Sequence, residues 1–340
     1  MMKFAHSPED LADLNRIIVI CGPTGVGKTA LSLKLAEKLE AEIVSVDSLQ
    51  VYRHLDIGTA KADRAERAQV PHHLIDVVEP DQDFNVADYK RHAEAAITDI
   101  FKRGKTPMLV GGTGLYIRLL VHGLIEVPEP SEELRAKYKR QAEEHGEGFL
   151  HRRLRQVDPE LAEKFHPNDL VRVTRGLEVF DQTGKPLSEH QREHQFRRPN
   201  YHALKIALIR PRDELYDRIN QRANRMLEEG LEKEYRSLIA MGYSPELKPM
   251  QSLGYKQIGE YIRGEMSIEE AVEDIQKRTR RYAKQQVSWF RGEPDTHWAM
   301  APLLRDGQPP DEVVDDLRNF LRRGTPTLEW AQVDPYNVQR

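Results

Sequence analysis

The sequence predicts an α/β protein: a parallel sheet covered by helices on both faces, interrupted by a mostly helical insertion. Three observations carry this reading. Between residues 16 and 125, short apolar runs of strand length alternate with helical stretches, and strands buried on both faces read as near-continuous apolar runs. Between about 125 and 200 such runs stop, and charged segments with helical periodicity take over. At 203–209 (ALKIALI) a strand of the first kind returns.

In chain order, strands are expected at 16–21 (RIIVIC), 42–47 (EIVSVD), near 73–77 (HLIDV) and at 106–111 (TPMLVG), with helices at 28–40 and 86–103 between them. Ligands of such sheets bind beyond the carboxyl ends of the strands. Here those ends are a glycine-rich loop, Asp47-Ser48 and Gly111-Gly112-Thr113-Gly114, and they are expected to converge on one pocket. After Val127-Pro128-Glu129-Pro130, helices are expected at 131–145, 148–156, 159–165 and 168–181. Beyond the returning strand come helices at 212–241, 255–263 and 267–290. Ser267 is the N-cap of the last, with Glu269 and Glu270 in its first turn and a basic final half that suits the helix dipole. A short segment at His297-Trp298, a helix near 310–322 and a turn-rich tail from Gly324 complete the chain. The organisation read from this pattern is a core in two parts, 1–124 and 201–300, a helical insertion at 125–200, and a peripheral tail at 301–340.

A net charge of −4 excludes a uniform polycation, but the charge is unevenly placed. Residues 277–291 (KRTRRYAKQQVSWFR) hold six Lys/Arg and no acid, and further basic concentrations lie at 135–155 and around 192–198. Basic patches on an acidic chain point to one face for a polyanion, against the plainer reading of solvated helix faces. The lone Cys21 excludes an internal disulfide and a cysteine-based zinc finger, and fits a reducing, cytoplasmic setting. No run approaches the ~18 apolar residues of a membrane span. The polar, partly acidic start (MMKFAHSPEDLADLN) does not read as a signal peptide.

The glycine-rich loop is GPTGVGKT (22–29), between an apolar strand and an amphipathic helix. That context makes G-x-x-x-x-G-K-T a P-loop, and the fold P-loop NTPase-like. Its backbone amides and helix N-terminus suit an anion, and Gly22, Pro23, Thr24, Gly25, Val26, Gly27, Lys28 and Thr29 are the candidate phosphate-binding residues, the loop alone leaving open which phosphates it holds. Lys28 brings a charge, and the Thr29 hydroxyl is placed to hold Mg²⁺. An NTPase also needs an acid at a core strand end to organise metal and water. Here 108–110 runs into Gly111-Gly112, which argues against hydrolysis. The carboxylate at a strand end is Asp47. It would serve a kinase by deprotonating a hydroxyl, another transferase by acting on a different nucleophile, or the fold alone as an N-cap.

The set GPTGVGKT (22–29), VDSLQVYRHLDIGTAK (46–61), HHLIDVVEP (72–80), LVGGTGLYI (109–117), RVTRGLEVF (172–180) and TRRYAKQQVSWFR (279–291) resembles bacterial tRNA dimethylallyltransferases, in order over about 16–298. The resemblance implies transfer of a dimethylallyl group from dimethylallyl diphosphate to N6 of an adenine beside the anticodon, with Mg²⁺ as cofactor and an insertion that grips the anticodon stem-loop. The P-loop would then hold a leaving group. Asp47, Thr24 and Arg222 are implied as catalytic residues, with Arg222 on the diphosphate. The implied tRNA-binding set is Asp47, Ser48, Leu49, Gln50, Thr113, Arg135, Arg172, Arg175, Gln251, Lys256, Lys284, Gln285, Gln286 and Arg291, and Gln50 could read an adenine edge. Tyr282, Gln286, Trp289 and Phe290 fall at i, i+4, i+7 and i+8, a stripe read as core rather than as base-stacking. Lys284-Gln285-Gln286 departs from the Lys-Arg-Gln common in the family. His72-His73 is read as a structural turn rather than a metal site. Competing readings are an adenylate isopentenyltransferase acting on free AMP or ATP, a P-loop small-molecule kinase, and a non-catalytic RNA-binding protein. The basic helices, the missing strand-end acid and the intact P-loop with Asp47 argue against these in turn. No membrane and no obligate protein partner are expected, and a monomer is.

Overall fold

The computed structural model describes residues 11, 13–123, 125, 127–194 and 199–327. The chain divides into two compact units: Gly123–Arg198, and the remainder before and after it.

The larger unit is a six-stranded sheet with helices on both faces. Its elements begin with β1 (Arg16–Cys21), α1 (Lys28–Leu39), β2 (Ala41–Val46), α2 (Arg64–Gln69), β3 (His72–His73), α3 (Val86–Lys102), β4 (Thr106–Gly111) and α4 (Gly114–His122). All strand pairings are parallel, and the order is β3-β2-β4-β1, followed by β5 (His202–Ile209) and β6 (Thr296–Met300). Side chains alternate across β1 as strand geometry dictates. Ile17, Val19 and Cys21 enter a core with α3 and α4, while Ile18 and Ile20 enter the core of the opposite face with Leu31 and Leu35 of α1.

The smaller unit is helical: α5 (Glu132–His145), α6 (Phe149–Val157), α7 (Pro159–Lys164), α8 (Leu170–Thr183) and α9 (Leu187–His194). It has its own core around Tyr138, Leu154, Leu161, Val173 and Leu177. Asp158 caps α7, its carboxylate accepting from Leu161 N at 3.1 Å and Ser188 N at 2.9 Å. Of the basic stretch around 192–198, residues 195–198 lie outside the described residues, as do 328–340 of the tail.

The second half of the larger unit carries α10 (Arg212–Glu228), α11 (Leu231–Ala240), α12 (Tyr255–Ile262), α13 (Ile268–Arg291) and α14 (Asp311–Arg323). Several expectations need correction. The helix expected at 212–241 is two, because Gly230 turns left-handed at φ 104°. The strand near 73–77 shrinks to two residues, because Leu74 (φ 62°) and Asp76 (φ 57°) leave the extended region. His297-Trp298 lies inside β6, which pairs with β5 and extends the sheet. The stretch 301–340 is not simply peripheral: Val313, Val314, Leu317 and Phe320 of α14 are buried in the α1 face of the core. The Ser267 cap is present as a full capping box, with Glu270 accepting from Ser267 N at 2.7 Å.

Candidate active site

The carboxyl ends of β1, β2 and β4 meet α10 and α13 around the P-loop. Three loop glycines adopt positive φ: Gly22 (131°), Gly25 (79°) and Gly27 (108°). At Gly22 a Cβ would also come within 2.6 Å of the Leu208 carbonyl oxygen, so the loop can lie against β5 only with glycine there. The Lys28 ammonium bridges the Gly22 and Pro23 carbonyls, each at 2.9 Å. Burial pushes its pKa down to about 8. The Arg222 guanidinium adds to the depression, and Asp47 opposes it. Thr29 is exposed in the first turn of α1.

Arginines hold the outside of the loop. Arg222 Nη1 donates to Thr24 Oγ1 at 3.3 Å, Arg218 Nε donates to the Gly25 carbonyl at 2.9 Å, and Arg210 Nε donates to the Val26 carbonyl at 2.8 Å. Burial lowers the Arg222 pKa, and the Asp47 charge offsets part of that. Sequence reasoning named Arg222 and missed Arg210 and Arg218. The i, i+4 spacing of 218 and 222 on one helix face was the available signal.

Asp47 follows β2 directly. Its Oδ1 accepts from Leu49 N at 2.8 Å and Gln50 N at 3.3 Å, so one oxygen caps the turn. Among the described residues no hydrogen bond is formed by Oδ2. The cap and the charged role are therefore compatible, one oxygen each. The charge of Asp47 acts on Lys28 and Arg222, and on the hydroxyls of Tyr89, Tyr116 and Tyr282. Burial pushes the Tyr116 and Tyr282 hydroxyls up to about 12, and Asp47 adds to both.

The loop after Asp47 is pinned from three sides. Gln50 Nε2 donates to the Thr59 and Ala60 carbonyls at 3.3 Å, and its Oε1 accepts from Ser45 Oγ at 2.8 Å. Gln50 is half-buried, with its amide bonded within the protein at both ends. The buried Lys61 ammonium donates to Tyr52 O (2.5 Å), Asp56 (2.8 Å) and Asp76 (2.7 Å). Burial alone would raise the Asp76 pKa, but the bonds from Lys61 and Arg67 outweigh it and hold the carboxyl below its ordinary value. On the third side, Glu234 of α11 accepts from Asp56 N (3.0 Å), Ile57 N (2.8 Å), Gly58 N (3.3 Å) and the Tyr255 hydroxyl (2.5 Å). Ser48 is exposed, and Leu49 packs half-buried against the core.

The other expected RNA-facing residues fall in both units. Thr113 precedes α4, its N–H donating to Val46 O and its carbonyl accepting from Tyr116 N. Gln251 is exposed and donates to Pro245 O, and Lys256 opens α12 beside Glu260. Lys284 and Gln285 are exposed on α13, and Arg291 ends it. Gln286 is corrected from the RNA surface to the interior: it is 7% exposed, with both amide ends bonded within the protein. The stripe reading holds for Gln286 and Phe290, whereas Tyr282 is 41% exposed. In the helical unit, Arg135 and Arg175 pair with the buried Glu178 at 3.0 and 3.3 Å, and Arg172 pairs with Asp169. Arg135 and Arg175 thus neutralise an internal carboxylate. His73 donates to or accepts from Glu42 at 2.7 Å, and Arg103 also grips Glu42, so the histidine pair has structural partners.

Among the described residues no helix is long and apolar enough to cross a membrane. A family model described as IPP transferase matches residues 50–293, and one described as isopentenyl transferase matches 15–76. The tRNA dimethylallyltransferase of Syntrophobacter fumaroxidans is 50% identical, over 88% of this chain and 92% of its own length. The tRNA dimethylallyltransferase 1 of Citrifermentans bemidjiense is 52% identical, over 84% of this chain and 92% of its own. Among solved structures, the full-length tRNA isopentenylpyrophosphate transferase of Bacillus halodurans aligns with a TM-score of 0.64 at 38% identity, covering 91% of this chain and 96% of that one. A eukaryotic dimethylallyltransferase described as acting on tRNA aligns at 0.78 and 29% identity, covering 93% and 82%. The match over 50–293 together with these relatives, which align over most of the chain on either side of the site just described, places the chain in the IPP transferase family.

Proposed function

We propose that the chain transfers a dimethylallyl group from dimethylallyl diphosphate to N6 of an adenine next to the anticodon of tRNA, releasing diphosphate. The observation that carries the reading is the strand-end carboxylate Asp47 set in the field of Lys28 and Arg222. A base and an anion grip thus share one site, while β4 ends in glycine with no acid to position a hydrolytic water.

In the transfer, the bond from N6 to the allylic carbon forms as the bond from that carbon to the diphosphate oxygen breaks. Asp47 Oδ2 accepts the N6 proton, or aligns it, which restores electron density to a nitrogen whose lone pair is delocalised into the ring. Lys28, the loop amides and Arg222 stabilise the charge arriving on the diphosphate. Thr24, held through its hydroxyl by Arg222, lies in the same grip. The exposed Thr29 hydroxyl is a hard oxygen donor of the kind Mg²⁺ takes beside substrate phosphates. The ion, when bound there, supplies charge neutralisation to the leaving group. The target base has to leave its stack, at a cost of a few kcal/mol. Lys284 and Gln285, exposed on α13, and Arg172, exposed on α8 of the helical unit, are each proposed to meet RNA. A cytoplasmic setting goes with a tRNA acceptor, and a monomer is expected.

The test offers purified protein labelled dimethylallyl diphosphate, Mg²⁺, and either an anticodon stem-loop with consecutive adenines, free AMP, or no acceptor. Label is expected on the RNA. Label on AMP and none on RNA overturns the proposal in favour of a free-nucleotide acceptor.

A further inference from the structure

We infer that Gln286 is a positioning residue of the diphosphate grip, acting through the P-loop backbone, and not a contact to RNA. The inference rests on the reading that the loop holds a diphosphate. Gln286 Oε1 accepts from Thr24 N at 2.8 Å, and its Nε2 donates to the Gly112 carbonyl at 3.0 Å. One planar amide therefore ties the middle of the P-loop to the end of β4. A glutamine suits the task because a single side chain presents an acceptor and a donor at fixed separation.

The sequence on either side is built around this strut. Gly112 leaves the room it needs, since a Cβ there would come within 2.2 Å of Nε2. One turn further along α13, Trp289 fits against Gly114, where a Cβ would come within 2.1 Å of the indole. The Arg118 guanidinium lies 4.5 Å from the Trp289 ring centroid and pairs with the buried Glu293. These contacts fix the rotation of α13 about its axis, with Gln286 inward and Lys284 and Gln285 outward. With Thr24 N held by Gln286 and Thr24 Oγ1 held by Arg222, both polar groups that set the loop's curl at this residue are fixed before any anion arrives. Its second N–H belongs to a side chain only 7% exposed, which keeps the amide away from a nucleotide.

The experiment measures two affinities separately, for inorganic diphosphate by calorimetry and for an anticodon stem-loop by filter binding, together with the two KM values. Gln286→Met keeps length and apolar packing and removes both hydrogen bonds. The expected result is a Kd for inorganic diphosphate weaker by roughly 10-fold or more, as two lost hydrogen bonds allow. The KM for the prenyl diphosphate should rise in parallel, with RNA affinity and the KM for RNA within about 2-fold. Gly112→Ala displaces the same amide with Gln286 in place and should give the same split. It decides the matter if Gln286→Met does not fold. Weakened RNA binding with unchanged diphosphate binding overturns the inference, as do unchanged affinities for both, or losses of both that simply follow a fall in Tm. A wild-type protein that fails to bind diphosphate overturns instead the reading on which the inference rests.

Discussion

Lys28 gives the site a pH dependence that can be worked out in advance. Its ammonium is half-buried against the Gly22 and Pro23 carbonyls, and burial, with Arg222 adding to it, brings its pKa down to about 8. A diphosphate bound beside it favours the charged form and raises that pKa, so binding takes up a proton wherever free Lys28 is neutral. Affinity is therefore fullest below about pH 8 and falls above it. If the complex returns Lys28 to its ordinary value near 10.5, raising the pH from about 7 to about 9.5 weakens binding roughly 30-fold, or about 2 kcal/mol. The assay is calorimetric binding of an alkyl diphosphate across that range, corrected for titration of the free ligand. Lys28→Arg serves as the control, because its guanidinium stays charged and its profile should be flat there. A wild-type affinity that does not change across the window refutes the reasoning. The same shift has a stability sign: the folded state gives up this proton before the unfolded chain does, so stability should rise as pH climbs from about 8 towards 10.5.

Asp47→Ala should abolish prenyl transfer while stem-loop binding survives, and lost RNA affinity with near-normal turnover would make Asp47 a binding residue only. Gly111→Ala places a Cβ 2.0 Å from the Val46 carbonyl oxygen, backbone against backbone. Overpacking of that kind costs about 1–3 kcal/mol, and an unchanged Tm by calorimetry would contradict the strand-end packing described. Glu234→Gln removes the charge that accepts three consecutive amides and the Tyr255 hydroxyl, which should cost roughly 2 kcal/mol in urea unfolding and slow transfer. Full stability with full activity would show that the latch on the 56–58 turn is idle. Stem-loop affinity should fall steeply with salt because several phosphates are neutralised, and a flat response would make Lys284 and its neighbours ordinary solvated surface.

Much of the fold was legible because its signals are local. Apolar runs of strand length, the P-loop glycines, and Ser267 with Glu270 each declare a structure within a few residues, and the strand–loop–helix around Lys28 forms where its residues predict it. Local signals failed where a distant partner sets the backbone. The 73–77 strand is cut short because Lys61 and Arg67 hold Asp76 in a left-handed turn, and β6 exists only because β5 offers an edge. The helix expected near 310–322 forms as α14, but its burial is not legible in a stretch assigned as peripheral, because its apolar face has meaning only against α1 and β1.

The same division runs through the site. Residue order by itself determined the ingredients: a P-loop, an acid at the end of β2, none at the end of β4, and basic helices. Tertiary structure decided which polar groups are left for a ligand. Gln286 reads in sequence both as part of a core stripe and as an implied tRNA contact, and packing settles it inside, with its amide bonded at both ends, because a buried amide without partners would be costly. Asp47 keeps one oxygen uncapped, with Lys28 and Arg222 close enough to feel its charge. Composition states how many such groups a chain has. Only packing determines which of them face inward and which are presented to a substrate.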